Sequence, residues 1–213
     1  MCGIIGFCSN NVTKKDLKVL KKVMIESRIR GKHASGIAWY NGKSIDYDVK
    51  PISIDNLVEE FDFNKLIYDG TNVSLVAHAR YSTSDIKYNQ PLIGKRYAIA
   101  HNGVITQSSP DTWESLYGYK CKTKNDSELL LKSLENGDNV FDKFPDSSIA
   151  CVAIDNKGNL IYFRNSIRPM WMGMIGDGRI YASTFDILNR AGVTGITKIS
   201  PSDYKESQNR SKK

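Results

Sequence analysis

Residues 1–10 read MCGIIGFCSN, a cysteine directly after the initiator methionine and then a run of apolar residues and glycines. The stretch Gly3–Ser9 has the length and composition of a short buried strand. Cys2 stands at its start and admits two readings. Cysteine is commonly a small packed hydrophobe, which suits Cys8 as well. The alternative is a nucleophile. Removal of Met1, which the small side chain of Cys2 favours, would leave one residue carrying both a thiol and a free α-amine. Their ordinary pKa values are about 8.5 and about 7.7–8.0, so a nucleophile and a base would titrate together near neutrality.

Working outward, residues 13–27 (TKKDLKVLKKVMIES) place Leu17, Leu20 and Met24 on one face of a helix and lysines on the other. Thr13 is its expected N-cap and Asp16 belongs in its first turn. Segments 34–40 and 44–50 predict strands joined across Asn41–Gly42–Lys43, a hairpin signal. A helix is expected over 54–68 and a strand over 72–82. Residues 96–106 (RYAIAHNGVIT) read as two apolar pieces broken at His101–Asn102–Gly103. Helices are expected over 109–119 and 125–136, a strand–turn–strand unit over 147–165, a strand over 178–184 and a short helix over 184–192. Hairpins mixed with helices, without repeated βαβ units, predict an α+β layered domain over residues 1–200, with a disordered basic tail at 201–213.

The 213 residues carry a formal charge of +7, concentrated in 13–32 and 205–213. Such a face attracts acidic partners or nucleic acid. No zinc finger, helix-turn-helix or aromatic RNA-binding motif accompanies it, so the charge leaves direct nucleic-acid binding open. No apolar run approaches the roughly 18 residues that span a bilayer, and no signal peptide is evident, so no membrane is expected and the setting is cytoplasmic. Cys2, Cys8, Cys121 and Cys151 form no CxxC pair or metal-ligand cluster, so neither a metal nor a cofactor is expected. Cys8 and Cys151 read as core and Cys121 as an exposed loop residue.

Three stretches bear chemistry, each with an ordinary alternative. Asn102–Gly103 can supply an amide and a close backbone N–H to a developing oxyanion, or be a hairpin turn. Arg80, in HARYST, can fork a carboxylate, or make a structural salt bridge. Asp126, in KNDSELLL, falls in the first turn of a helix, where a cap is its ordinary explanation.

As an ordered set, MCGIIGF, RGKHASGIA, HARYST, NQPL, AIAHNGVIT and NDSELLL, continued by RNSIRPMWMG and YAST, resemble the class II (N-terminal nucleophile) glutamine amidotransferase domain. The likeness is to the glutaminase halves of glutamine phosphoribosylpyrophosphate amidotransferase and glucosamine-6-phosphate synthase. It implies an αββα four-layer sandwich of two mainly antiparallel sheets that hydrolyses L-glutamine to glutamate and ammonia through a γ-glutamyl thioester. It also implies the roles: Cys2 as nucleophile with its α-amine as base, and Asn102 and Gly103 as oxyanion hole. Arg80 and Thr83 bind the α-carboxylate, Asp126 and the Gly103 backbone bind the α-ammonium, and Arg30 and Gly31 lie beside the nucleophile. His101 is expected to be structural. His33 stands where the family usually has Asp, and Ser84–Asp85 replace the usual Ala-Gly or His-Gly. No second domain that would consume the ammonia is seen. The expected partner is therefore a separate ammonia-accepting synthase subunit, in nucleotide or deazaguanine-type nucleobase modification. The alternatives are a stand-alone hydrolase of another amide and a catalytically silent scaffold.

Overall fold

The computed structural model describes residues 2–81 and 88–207. The first half of the chain forms β1 (Gly3–Ser9), α1 (Lys14–Glu26), β2 (Ala34–Tyr40), β3 (Ile45–Lys50), α2 (Ile54–Glu60), β4 (Ile67–Tyr68), β5 (Asn72–Arg80), β6 (Leu92–Ile93) and β7 (Tyr97–Val104). There follow α3 (Trp113–Tyr117), α4 (Ser127–Asn136), α5 (Val140–Lys143), β8 (Ser148–Asp155), β9 (Leu160–Arg164), β10 (Trp171–Ile175), β11 (Gly178–Ala182), α6 (Phe185–Ala191), β12 (Thr194–Lys198) and β13 (Ser202–Ser207).

All seven residues of β1 are buried, because this strand is flanked on both edges and covered on both faces. Its neighbours are β5 and β11, both antiparallel, in a sheet ordered β12-β10-β11-β1-β5-β2-β3, with β4 also paired to β5. The second sheet runs β13-β9-β8-β7-β6. Alternation along each strand assigns three cores. Ile5 and Phe7 of β1 pack with Leu20 and Met24 of α1, Leu57 of α2 and Leu188 of α6. Ile99, Ile149 and Phe163 pack with the leucines of α4. Between the sheets lie Ile4, Cys8, Val76, Ala98, Ala100, Ala150 and Val152. The result is the expected α+β sandwich in four layers, αββα. The inter-sheet layer mixes small side chains, Cys8 and the alanines, with larger ones such as Met170 and Tyr181, and a Cβ on Gly6 would already lie 3.1 Å from Val152.

Several expectations change. The helix expected over 54–68 stops at Glu60, because Phe61 and Phe63 turn into the core beneath α1 and the chain continues as a short 3₁₀ turn and β4. Residues 97–104 form one unbroken strand rather than two pieces. β10 and β12 extend the first sheet beyond the strands expected. Residues 202–207 form β13 on the free edge of β9, within the segment expected to be disordered. Cys121 is half-buried against the α4 core, not exposed, and burial raises its thiol to about 11.

α1 starts as its sequence demands. Asp16 N–H donates to Thr13 Oγ1 at 3.2 Å, and Thr13 N–H donates back to Asp16 Oδ2 at 2.9 Å, a reciprocal capping box. Thr13→Ala should lower unfolding free energy by about 1 kcal/mol, read as a shift of the urea midpoint at unchanged slope.

Candidate active site

The two sheets part at one end over a cavity of about 550 Å³, lined by Cys2, Arg80, Asn102, Gly103 and Asp126 among others. Cys2 is half-buried and precedes β1. Its backbone is gripped at both ends: its N–H donates to Asn102 Oδ1 at 3.2 Å, and its carbonyl accepts from Ser183 Oγ at 3.4 Å. Ser183, fully buried after β11, also accepts from Ile4 N–H at 2.9 Å. Cys2 Sγ faces the Tyr81 carbonyl at 4.0 Å.

Asn102 is 3% exposed, and its Nδ2 has no hydrogen-bond partner. Because Oδ1 is committed to Cys2, the amide orientation is set and Nδ2 is a buried donor awaiting an acceptor. Gly103 follows in β7. A Cβ there would fall 1.8 Å from the Ser148 carbonyl, so only glycine lets β7 and β8 approach this closely. Gly103 faces Ile149, whose N–H and carbonyl are both taken by Asn165 on the β9 side. The pair is therefore not hydrogen-bonded between β7 and β8, and the Gly103 N–H points to the other edge of β7. Asn102–Gly103 is not the hairpin turn its dipeptide suggests.

The two charged candidates also hold the cavity walls. Arg80 Nη1 donates to the Tyr88 carbonyl and to Asn89 Oδ1, both at 2.7 Å. Asp126 precedes α4 in a helical conformation but makes no side-chain cap. Its Oδ2 instead accepts from Ile105 N–H at 2.6 Å and Thr106 N–H at 3.4 Å, tying down the segment after β7. Arg30 and Gly31 sit behind this cluster. A Cβ on Gly31 would lie 2.2 Å from the Arg80 carbonyl carbon, so the backbone at 30–31 presses directly on Arg80–Tyr81. Arg30 Nε and Nη2 are buried without partners, and burial lowers its pKa while nearby Cys2 opposes that shift. Thr83 lies outside the described residues.

His101, which the family likeness leaves without a catalytic role, has both ring nitrogens engaged within the cavity wall. The Ser148 carbonyl can only accept, so Nε2 carries the proton at 3.3 Å and Nδ1 accepts from Ser127 Oγ at 2.8 Å. Gln90 closes the network: its Oε1 accepts from His101 N–H at 2.7 Å, and its Nε2 donates to Ser127 Oγ at 3.1 Å. Burial lowers the His101 pKa, in keeping with a neutral ring. Gln90, Ser127 and Ser183 were not singled out from sequence, although each lies inside or beside a quoted motif. Polar residues with tertiary partners leave no local periodicity to find. Arg168, whose Nε donates to Ser148 Oγ at 3.1 Å, and His78 also line the cavity without having been foreseen.

A nucleophile candidate at a strand start, beside a buried amide donor in a two-sheet sandwich, defines a class II, N-terminal-nucleophile amidotransferase domain. The sequence profile described as "Glutamine amidotransferase domain" matches residues 78–190. The chain belongs to that family. It is 25% identical over 201 residues to the glutamine–fructose-6-phosphate aminotransferase (isomerizing) of Sulfurisphaera tokodaii, covering 86% of this chain and 33% of that protein. Against the enzyme of the same name from Oceanobacillus iheyensis, identity is 25% over 155 residues, covering 70% of this chain and 24% of the other. The chain thus spans a third or less of these relatives. Among solved structures, glutamine phosphoribosylpyrophosphate amidotransferase from B. subtilis, complexed with ADP and GMP, superposes with TM-score 0.70 at 19% identity. That match covers 98% of this chain and 47% of the other and supports the same fold. Among the described residues, no helix is long and apolar enough to cross a membrane.

Burial, with smaller contributions from Arg80 and His101, pushes His78 from 6.5 down to about 3. An unfolded histidine takes up its proton near 6.5, so between these values the unfolded state binds more protons. Folding stability is therefore full above about 6.5 and falls as pH drops toward 3. Between pH 7 and 5, His78 alone should remove about 2 kcal/mol, measured as urea unfolding free energy across that range.

Proposed function

We propose that this domain hydrolyses the side-chain amide of L-glutamine to glutamate and ammonia, with Cys2 as nucleophile. The observation that carries the reading is the pairing of Cys2 with Asn102, whose oxygen holds the Cys2 nitrogen while its buried Nδ2 has no partner. A buried donor without an acceptor costs roughly 1–3 kcal/mol, and a transient oxyanion at that point would recover it during the reaction.

After loss of Met1, the Cys2 α-amine takes the thiol proton and the thiolate attacks the amide carbon. The carbonyl oxygen becomes the oxyanion between Asn102 Nδ2 and the Gly103 N–H. Collapse expels ammonia, which receives its proton from the Cys2 ammonium, and leaves a γ-glutamyl thioester. Water, deprotonated by the same amine, then releases glutamate. Arg80, anchored through Nη1, binds the α-carboxylate with help from Thr83. Asp126 and the Gly103 backbone bind the α-ammonium, and Arg30 and Gly31 support Cys2 from behind.

The ammonia passes to a separate synthase. Supporting an ammonia-accepting synthase is the family's pairing of such domains with ammonia-consuming ones. The charge of +7 supports an acceptor bearing phosphate, as in nucleotide or deazaguanine-type nucleobase modification.

Purified protein should release glutamate from glutamine. Its intact mass should lack Met1 and gain one adduct with a diazoketone analogue of glutamine. Cys2→Ala should abolish both activity and adduct, and Asn102→Ala should lower kcat by about 10²–10³-fold with the adduct site intact. Retained Met1 in active enzyme, or labelling that persists in Cys2→Ala, would overturn the mechanism.

A further inference from the structure

A primary amide presents two polar ends, an oxygen that accepts and a nitrogen that donates. Among the described residues lining the cavity, two carry buried polar atoms without partners. One is Asn102, through the donor Nδ2, and the other is His78, through both ring nitrogens. A neutral imidazole always offers one lone pair as acceptor. Besides the N–H of His78, the cavity thus holds an unmatched donor on Asn102 and an unmatched acceptor on His78, a pair complementary to an amide.

Register puts them at successive depths. β1 and β5 pair Gly3 with Ala79 and Ile4 with His78, so one step further Cys2 lies beside Arg80. Ile4 and Val76 belong to the inter-sheet layer, and alternation places His78 and Arg80 on that same face of β5. Across the gap, Ala98 and Ala100 face inward from β7, and Asn102 continues that face. The outer level is therefore Cys2, Arg80 and Asn102, and the level beneath it is Ile4, His78 and Ala100. His78 is 1% exposed, and the His101 backbone approaches its ring without meeting hydrogen-bond geometry.

We propose that His78 is a substrate-contacting specificity residue, whose ring nitrogen accepts a hydrogen bond from the amide nitrogen of glutamine. This rests on the glutaminase reading above. With the carbonyl oxygen drawn to Asn102 and Gly103 on β7, the amide nitrogen, on the other side of the trigonal carbon, turns toward the sheet of β1 and β5. Its N–H meets the lone pair of His78. When the carbon–nitrogen bond breaks, the departing ammonia keeps that acceptor, and the water that attacks the thioester takes the same place. With a proton affinity as low as burial makes it, the ring stays an acceptor throughout the neutral range. The contact favours amides over esters, which have no N–H to donate.

The test compares L-glutamine with L-glutamate γ-methyl ester, which has the same α-groups and carbonyl. For His78→Leu, kcat/KM on glutamine should fall about tenfold while that on the ester changes far less. In His78→Gln, which restores an acceptor, the amide-to-ester ratio should recover toward wild type. Equal losses on both substrates, or no loss on either, overturn the proposal and make His78 a packing residue. Should His78→Leu fail to fold, Cys2→Ala protein with isotope-labelled histidine gives an independent readout by nitrogen NMR. Saturating glutamine should move the His78 ring resonance more than the ester does, and equal shifts overturn the proposal. Wild-type protein that releases no glutamate at all overturns the glutaminase reading itself, an outcome distinct from either of these.

Discussion

One hydrogen bond, from the Cys2 N–H to Asn102 Oδ1, joins the two sheets at the open end of their interface. It fixes where β1 begins relative to β7, and it decides which end of the Asn102 amide is left over. The bond depends on the sheets lying close, which the alanines and Gly6 between them permit. It depends as well on Ser183, which holds the Cys2 carbonyl and the Ile4 N–H from the far edge of β1. The geometry of the site is therefore tied to the packing between the sheets.

The groups with the most chemical character also do mechanical work. Arg80 gathers Tyr88 and Asn89, and Asn125 reaches the same Tyr88 carbonyl at 3.1 Å. Asp126 pins the backbone at 105 and 106. Charge and cavity shape are thereby coupled, since removing either side chain would release a wall together with a candidate binding group. Effects at these two positions should not add, because they act on adjoining parts of one enclosure.

Much of this was legible in the sequence where local rules govern. The buried run of β1, the Thr13–Asp16 box of α1, the β2–β3 hairpin and the strand pair after Ser147 all follow from periodicity, capping and turn chemistry. Local rules failed where a tertiary partner outweighed them. Asn102–Gly103 has the signature of a turn, yet it runs straight because β8 stands too close to Gly103 for any side chain. Asp126 has the signature of a cap, yet its carboxylate goes to the neighbouring segment. The helix after Ile54 ends early because two phenylalanines find core on the wrong side for a continuing helix. The ordered set of motifs identified the family, but the hydrogen bonds of Ser183 to Cys2 and of Gln90 and Ser127 to His101 could be seen only in three dimensions.

The contact between Gly103 and the Ser148 carbonyl has a consequence for how this site can vary. Most binding groups belong to side chains, and a single codon change can delete or exchange them. The N–H at position 103 belongs to the backbone, and the crowding that excludes a Cβ also forbids the substitutions that would sample alternatives. Variation there is confined to changes that move a strand, and those tax the whole sandwich. The side-chain half of the candidate oxyanion site is open to gradual mutational drift, whereas the backbone half is inherited with the fold.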